Sequence, residues 1–67
     1  MNIFKEQRLK NGLSQEDVAV AVGVTRQAVC QWEKGGSYPR GETLLKVAEL
    51  YHCTTDELLR GEHNDDT

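Results

Sequence analysis

The chain has 67 residues, 37% of them hydrophobic and 28% charged, and a formal net charge of −3 at pH 7. Its length allows one domain at most, near the lower limit for folding on a single unaided core, and its composition excludes wholesale disorder. The sequence contains no apolar run of about 18 residues that would cross a membrane, and it begins with no signal peptide, so we expect a cytoplasmic protein.

Basic and acidic residues are distributed unevenly along the chain. Residues 1–40 contain six Lys or Arg and four Asp or Glu, whereas residues 41–67 contain two basic and seven acidic residues. A basic first part favours an acidic partner, although a solvated surface followed by an acidic tail gives the same pattern.

Cysteine and histidine, the usual zinc ligands, are few and poorly spaced. The chain has Cys30, His52, Cys53 and His63, without a Cys-x-x-Cys pair or another zinc-site spacing. We therefore expect no metal and no cofactor, and two reduced thiols rather than a Cys30–Cys53 disulfide.

Glycine and small polar residues interrupt the chain about every ten residues, and no alternating strand pattern lies between them. This predicts an all-α fold, a compact bundle of five short helices. The first helix is predicted at residues 2–11, with Phe4, Arg8 and Leu9 facing inward, and Gly12 suits the left-handed turn after it.

The second helix is predicted to start after Ser14, whose hydroxyl can cap the first turn, and to end at Gly23. Val20 and Ala21 should point partly outward, as scattered surface residues or as a contact patch. Its inner face would be formed by Val18, Ala19 and Val22.

Three further helices are predicted at residues 26–34, 42–51 and 55–60. Thr25 would cap the third helix, and Thr54 with Glu57 forms a capping box for the fifth. His52 lies where the fourth helix ends, a position of positive φ that histidine tolerates. We expect helices 2 to 5 to share one core, one domain over residues 1–61, and a polar tail at 62–67.

The third helix has one apolar and one polar side. With about 100° per residue, Ala28, Val29 and Trp32 fall on one side. The other side contains no carboxylate, and we call it the polar face; it consists of Arg26, Gln27, Cys30, Gln31 and Lys34. Such a face can simply be solvated, but glutamine matches the major-groove edge of adenine, arginine matches guanine, and lysine suits a phosphate.

Two stretches carry a resemblance to a known family. "LSQEDVAVAVGVTRQAVCQWEKG", residues 13–35, resembles the helix-turn-helix of the lambda-repressor and Cro family, also called the XRE family. "LLKVAELYHCTTDELL" resembles the fourth and fifth helices of that family. The resemblance covers about residues 3–60, places the helix-turn-helix at about 14–34, and implies the lambda repressor-like DNA-binding fold.

The resemblance implies a role for individual residues. Arg26, Gln27 and Gln31 would read base edges in the major groove. Supporting or DNA-backbone contacts would come from Gln15, Thr25, Cys30, Lys34 and Arg40. Gln15 would also brace Gln27, and Arg40 would follow the occasional minor-groove arginine of the family.

Three further features are compared with the family pattern. Arg8 and Glu33 match an ion pair of the family that joins helices 1 and 3, so Glu33 would be structural. Cys30 stands where polar residues are common; it would touch a thymine methyl group or make binding sensitive to thiol oxidation. Gly41 replaces a commonly apolar residue at the start of the fourth helix, which leaves that start undetermined.

The function that follows is sequence-specific binding of double-stranded DNA by a small standalone transcriptional regulator, a repressor that acts as a homodimer on an operator. Leu58 and Leu59 would contribute to the dimer interface. We expect neither a membrane partner nor a small-molecule ligand.

A protein-interaction module or antitoxin-type protein on the same scaffold is the alternative, favoured by the negative net charge and by Val20 and Ala21. An enzyme is not expected, because no nucleophile has a positioned base and so small a domain has little room for a substrate cleft.

Overall fold

The computed structural model describes residues 2–61, which form five α-helices and no strand. The helices are α1 (Ile3–Lys10), α2 (Gln15–Val22), α3 (Arg26–Lys34), α4 (Gly41–Tyr51) and α5 (Thr55–Arg60). The predicted all-α fold of five short helices is therefore confirmed. The predicted polar tail at 62–67, which includes His63, lies outside the described residues.

Side-chain caps fix the starts of four helices. Asn2, Ser14, Thr25 and Thr54 each accept a hydrogen bond from a backbone N–H of the first turn. The caps of α2 and α5 are complete capping boxes, in which the third helical residue accepts from the cap backbone in return. The sequence predicted the box of α5, and it predicted the Ser14 cap without the return bond that the Ser14 N–H donates to the Asp17 carboxylate.

Helices α2 and α4 each end at a residue with a left-handed backbone conformation. Gly23 has φ 77° and His52 has φ 57°, which is the only positive φ of a residue other than glycine within 2–61. Glycine adopts this conformation without a Cβ clash, and histidine tolerates it better than most residues. The predicted positions of both helix ends are thus confirmed.

One core collects residues from all five helices. Its buried members are Ile3, Phe4, Val18, Ala19, Val22, Val29, Trp32, Val47, Ala48, Tyr51 and Leu58. Helix α1 therefore joins the core that we expected helices 2 to 5 to share. The inward position predicted for Leu9 is wrong: this side chain is 50% exposed, and Ile3 and Gln7 are buried on α1 beside Phe4 and Arg8 instead.

Leu58 and Leu59 have opposite environments. Leu58 has no exposed surface and packs in the core, whereas Leu59 is 57% exposed. The prediction that Leu58 contributes to a dimer interface is wrong, because a side chain buried within its own domain has no surface to offer a second copy. Leu59 remains accessible for that purpose.

Helix α1 also braces the far end of α3. The Asn2 side chain donates to the backbone carbonyl of Trp32 at 3.1 Å, and the Phe4 ring lies 6.2 Å from the Trp32 ring and 5.9 Å from the Tyr38 ring. These contacts hold the end of α3 and the segment after it against the start of α1. Between residues 2 and 61, no helix has both the length and the apolar character to cross a membrane.

Candidate nucleic-acid interface

The turn between α2 and α3 is held by backbone hydrogen bonds. The N–H groups of Gly23 and Val24 both donate to the carbonyl of Ala19, at 2.9 and 3.0 Å. At the next residue the Thr25 hydroxyl accepts from the N–H of Ala28 at 3.1 Å and caps the start of α3. Because only Gly23, Val24 and Thr25 separate the helices, the orientation of α3 against α2 is tightly constrained.

Helix α3 is divided sharply between a buried and an exposed side. Val29 is fully buried and Trp32 is 4% exposed, so they anchor the helix in the core. On the opposite side the structure places Arg26, Gln27, Gln31 and Lys34 at the surface. The polar face predicted from helical spacing is therefore one continuous surface, in which Cys30 alone is half-buried.

Glu33 is the acidic residue of α3, and it is turned away from solvent. Its carboxylate accepts from Arg8 twice, at 2.6 Å from Nε and at 3.1 Å from Nη2. Only 9% of the Arg8 side chain and 5% of the Glu33 side chain are exposed. The bond to Glu33 raises the pKa of Arg8 above its ordinary value. The pair links α1 to α3 and keeps negative charge off the polar face.

Gln15 belongs to the same network. Its side-chain Nε2 donates to Oε1 of Glu33 at 3.1 Å, so the first residue of α2 is joined to the ion pair rather than hydrogen-bonded to Gln27. The expectation that Gln15 braces Gln27 stays a prediction for the DNA-bound protein; without DNA, the Glu33 carboxylate is the acceptor that the Gln15 amide meets. This bond was not foreseen from the sequence.

A cavity of about 330 Å³ opens on the polar face. It is lined by Gln15, Arg26, Gln27 and Cys30, so Gln15 and Gln27 lie near each other although no hydrogen bond joins them. Cys30 lines this space, and its thiol is free, as is that of Cys53. The cavity combines amide and guanidinium groups with a soft apolar sulfur, which suits the edge of a base.

Arg40 lies apart from α3, at the residue before α4. It is exposed and extended, with φ −125°, and its side chain makes no capping bond. Gly41 begins α4 with φ 53°, a conformation that favours glycine over the apolar residues common at this position. The start of α4, left undetermined by the sequence, is therefore set by this backbone geometry, and Arg40 is left accessible.

Gly36, expected with Gly35 only to end the third helix, lies beside Gln31. A Cβ built on this residue would lie 2.5 Å from Oε1 of Gln31, so the glycine adjoins one of the predicted base-reading side chains. Helical periodicity gave no indication of this contact, since Gly36 follows the end of α3. Among residues 2–61, no group of three or more His, Cys, Asp or Glu side chains is arranged to hold a metal ion.

The chain is similar to several transcriptional regulators. It is 42% identical over 60 residues to the HTH-type transcriptional activator BcrR of Enterococcus faecalis, covering 87% of this chain and 29% of BcrR. It is 34% identical over 59 residues to repressor protein C2 of Salmonella phage P22, covering 88% of this chain and 27% of C2. The chain thus spans less than a third of the length of these two relatives.

Other relatives are matched over most of their length. An uncharacterized HTH-type transcriptional regulator of Bacillus subtilis, YgzD, is 37% identical, with 85% of this chain and 86% of YgzD covered. The solution structure of the DNA-binding domain of the P22 C2 repressor superposes with a TM-score of 0.81 at 31% identity, covering 96% of this chain and 84% of that domain. The family model HTH_3, described as helix-turn-helix, matches residues 4–58. The chain therefore belongs to the helix-turn-helix family, in agreement with its resemblance to lambda-repressor and Cro proteins.

Proposed function

We propose that this chain binds double-stranded DNA sequence-specifically in the cytoplasm and regulates transcription, with residues 1–61 as one DNA-binding domain. The observation that carries the proposal is the polar face of α3. Its amide, guanidinium and ammonium groups are exposed together, while the neighbouring carboxylate of Glu33 is buried against Arg8. A surface that meets phosphates should be free of unpaired carboxylates, and this one is.

Three side chains of the polar face would recognise bases. Arg26, Gln27 and Gln31 are exposed on the side of α3 away from the buried Trp32. Glutamine can pair with N6 and N7 of adenine, and arginine with O6 and N7 of guanine, which are the contacts that distinguish base pairs in the major groove. We assign the sequence preference of the protein to these three residues.

Phosphate contacts position the helix in the groove without specifying sequence. Lys34 lies in the last turn of α3 and Arg40 precedes α4, and we assign phosphate contacts to these two exposed cations. We assign supporting contacts to Gln15, Thr25 and Cys30, which lie at the start of α2 and along α3. Arg40 would reach towards the minor groove.

A homodimer fits this kind of operator binding. Two copies related by a twofold axis would place two α3 helices in successive major grooves, about one helical turn apart. Leu59 is the exposed apolar side chain of α5, and we propose it as part of the contact. An operator occupied by such a dimer would exclude the polymerase, which is the proposed mechanism of repression. We assign no catalytic activity to the chain.

A second candidate function is supported by one exposed apolar side chain. Val20 on α2 is 73% exposed, and Ala21 beside it is exposed as well. These residues would suit a protein-interaction module or an antitoxin-type protein. The cations of the polar face have no evident purpose in that function, which is why we place it second.

Binding-site selection from random duplexes tests the proposal directly. We expect an enriched sequence with two half-sites, and we expect Gln27→Ala to relax the preference at one base pair per half-site, with a cost of about 1–3 kcal/mol there. Lys34→Ala should weaken binding to all sequences and reduce the salt slope by about one ion. Arg60→Ala, which removes a cation of α5 outside the polar face, is the matched control and should change neither property.

Two results would count against these assignments. Recovery of no enriched sequence would contradict sequence-specific binding. An enriched sequence that Gln27→Ala leaves unchanged would contradict the assignment of Gln27 while leaving DNA binding intact.

A further inference from the structure

Gly36 differs from the other glycines of the chain in its backbone. Five of the six glycines have φ between 53° and 82°, in the left-handed region, and Gly36 does not. At those five positions the backbone conformation itself explains the glycine. Gly36 lies outside the left-handed region and is exposed, so neither a left-handed backbone nor core packing requires a glycine there.

Termination of α3 does not require Gly36 either. Gly35, with φ 82°, provides the left-handed residue, and its N–H donates to the carbonyls of Gln31 and Trp32. Gly36 contributes a backbone N–H that donates to the carbonyl of Gln31 at 2.9 Å. Any residue except proline supplies that N–H group, so the helix end leaves the choice of glycine unexplained.

The explanation lies in the space above the Gly36 Cα. A Cβ there would lie 2.5 Å from Oε1 of Gln31 and 3.7 Å from its Cδ, and no Cβ at the other five glycines would have a neighbour within 4 Å. A separation of 2.5 Å is far below carbon–oxygen contact distance. The Gln31 amide therefore occupies the place that any larger residue at 36 would fill.

We infer that Gly36 is a positioning residue for Gln31, leaving the room in which the Gln31 amide lies across the end of α3. The inference rests on the proposed function, in which Gln31 reads a base edge. An amide pairs with both N6 and N7 of adenine only in one orientation. A methyl group at 36 would displace the flexible end of Gln31, at little cost to the fold, and would spoil that pairing.

A double-mutant cycle tests the inference. Gly36→Ala, Gln31→Ala and the double variant are titrated against the selected operator and against operators changed at single base pairs. We expect Gly36→Ala to weaken binding to the selected operator by about 5-fold, the lower end of what one bidentate pair contributes, and only through the base pair that Gln31 reads. In the Gln31→Ala background Gly36→Ala should change the dissociation constant by less than about 2-fold, because coupled residues are not additive.

Folding and non-specific binding are the controls. Gly36 lies outside the left-handed region, so alanine brings no left-handed strain there, and the urea midpoint of Gly36→Ala should equal or exceed that of the wild type. Its affinity for mixed duplex DNA should be unchanged. An equal loss in the presence and absence of the Gln31 side chain would overturn the inference, since Gly36 would then act by itself. Unchanged operator binding by Gly36→Ala would overturn it as well.

A measurement without DNA separates this inference from the proposed function. In the free protein, the side-chain NH₂ resonances of Gln31 should shift in Gly36→Ala, while those of Gln27 should not. Absence of that shift would overturn the positioning role. A shift in a protein that selects no operator would contradict the proposed function and the base-reading part of the inference, but not the contact.

Discussion

The buried ion pair between α1 and α3 gives the sharpest prediction of stability. Glu33→Ala would leave the Arg8 guanidinium, whose side chain is 9% exposed, without its carboxylate. Three hydrogen bonds would be lost, two from Arg8 and one from Gln15. Breaking a buried pair by removing one partner costs about 3–5 kcal/mol, because an uncompensated charge stays in the interior.

That cost is large for so small a protein. Domains are stable by about 0.05–0.15 kcal/mol per residue, which gives about 3–10 kcal/mol for a chain of this length. Glu33→Ala should therefore remove a large part of the free energy of unfolding, and at the lower end of the range it should leave the chain mostly unfolded at 25 °C. Urea titration followed by circular dichroism and by the fluorescence of Trp32 measures the effect.

Two control variants distinguish the effect of burial on the ion pair from the effect of charge pairing alone. The exposed pair of Arg60 and Asp56 has a separation of 3.6 Å, with 73% and 77% of the side chains exposed. Arg60→Ala should therefore change the unfolding free energy by less than about 1 kcal/mol. The double variant Arg8→Met with Glu33→Leu removes both charges, and it should be clearly more stable than Glu33→Ala. A loss below about 1 kcal/mol for Glu33→Ala would refute the reasoning.

Three further predictions concern the core and the pH dependence of folding. Leu58→Ala should cost about 2–5 kcal/mol in urea unfolding, whereas Leu59→Ala should change stability by less than about 0.5 kcal/mol and weaken self-association in sedimentation; similar stability losses would contradict the burial described above. Burial raises the pKa of Tyr51, whose hydroxyl is buried without a partner among the described residues, so the wild type should lose stability as the pH rises above the ordinary value of 10.0. Tyr51→Phe should be at least as stable at neutral pH and should lose less in alkali; equal losses would contradict that origin. Hydrogen bonding from the Ser14 backbone N–H lowers the pKa of Asp17 below its ordinary 3.8. The stability that ionised Asp17 contributes is therefore present above pH 3.8 and is lost as the pH falls through the lower pKa of the folded state. Asp17→Asn should show a weaker acid dependence in the same range, and an unchanged acid dependence would exclude this cause.

Much of the fold was predictable because local signals agree with one another. Ser14, Thr25 and Thr54 are cap residues followed by helical periodicity, and Gly23 marks a helix end. These signals act over three or four residues, so they can be recognised without tertiary structure. The helix bounds observed at α3 and α5 equal the predicted ones for this reason.

The wrong predictions concern residues whose burial or partners are determined by tertiary contacts. Leu9 and Leu58 are both leucines at plausible positions, but only the packing of five helices determines that Leu9 is exposed and Leu58 is buried. The bond from Gln15 to Glu33 joins residues 18 positions apart, and the proximity of Gln31 to Gly36 depends on a side-chain conformation. Periodicity along one helix contains no information on either contact.

The residues that form the candidate site could be predicted from the sequence, but the way they are arranged around the cavity could not. Helical spacing alone placed Arg26, Gln27, Gln31 and Lys34 on one surface, and the structure has them there. It gave no sign of the cavity beside Cys30, which depends on where α2 lies against α3. Whether the thiol of Cys30 touches a thymine methyl group or responds to oxidation stays a prediction.

Titration of mixed-sequence duplex DNA at two salt concentrations tests the central claim most directly. Phosphate contacts do not depend on the base sequence, so the wild type should bind mixed duplex DNA at about 50 mM salt. The logarithm of the binding constant should fall linearly with the logarithm of the salt concentration, with a slope of about −0.9 per neutralised phosphate. Lys34→Ala should have a shallower slope by about one ion. Absence of binding even at the lower salt concentration would contradict the claim that the polar face of α3 is a DNA-binding surface.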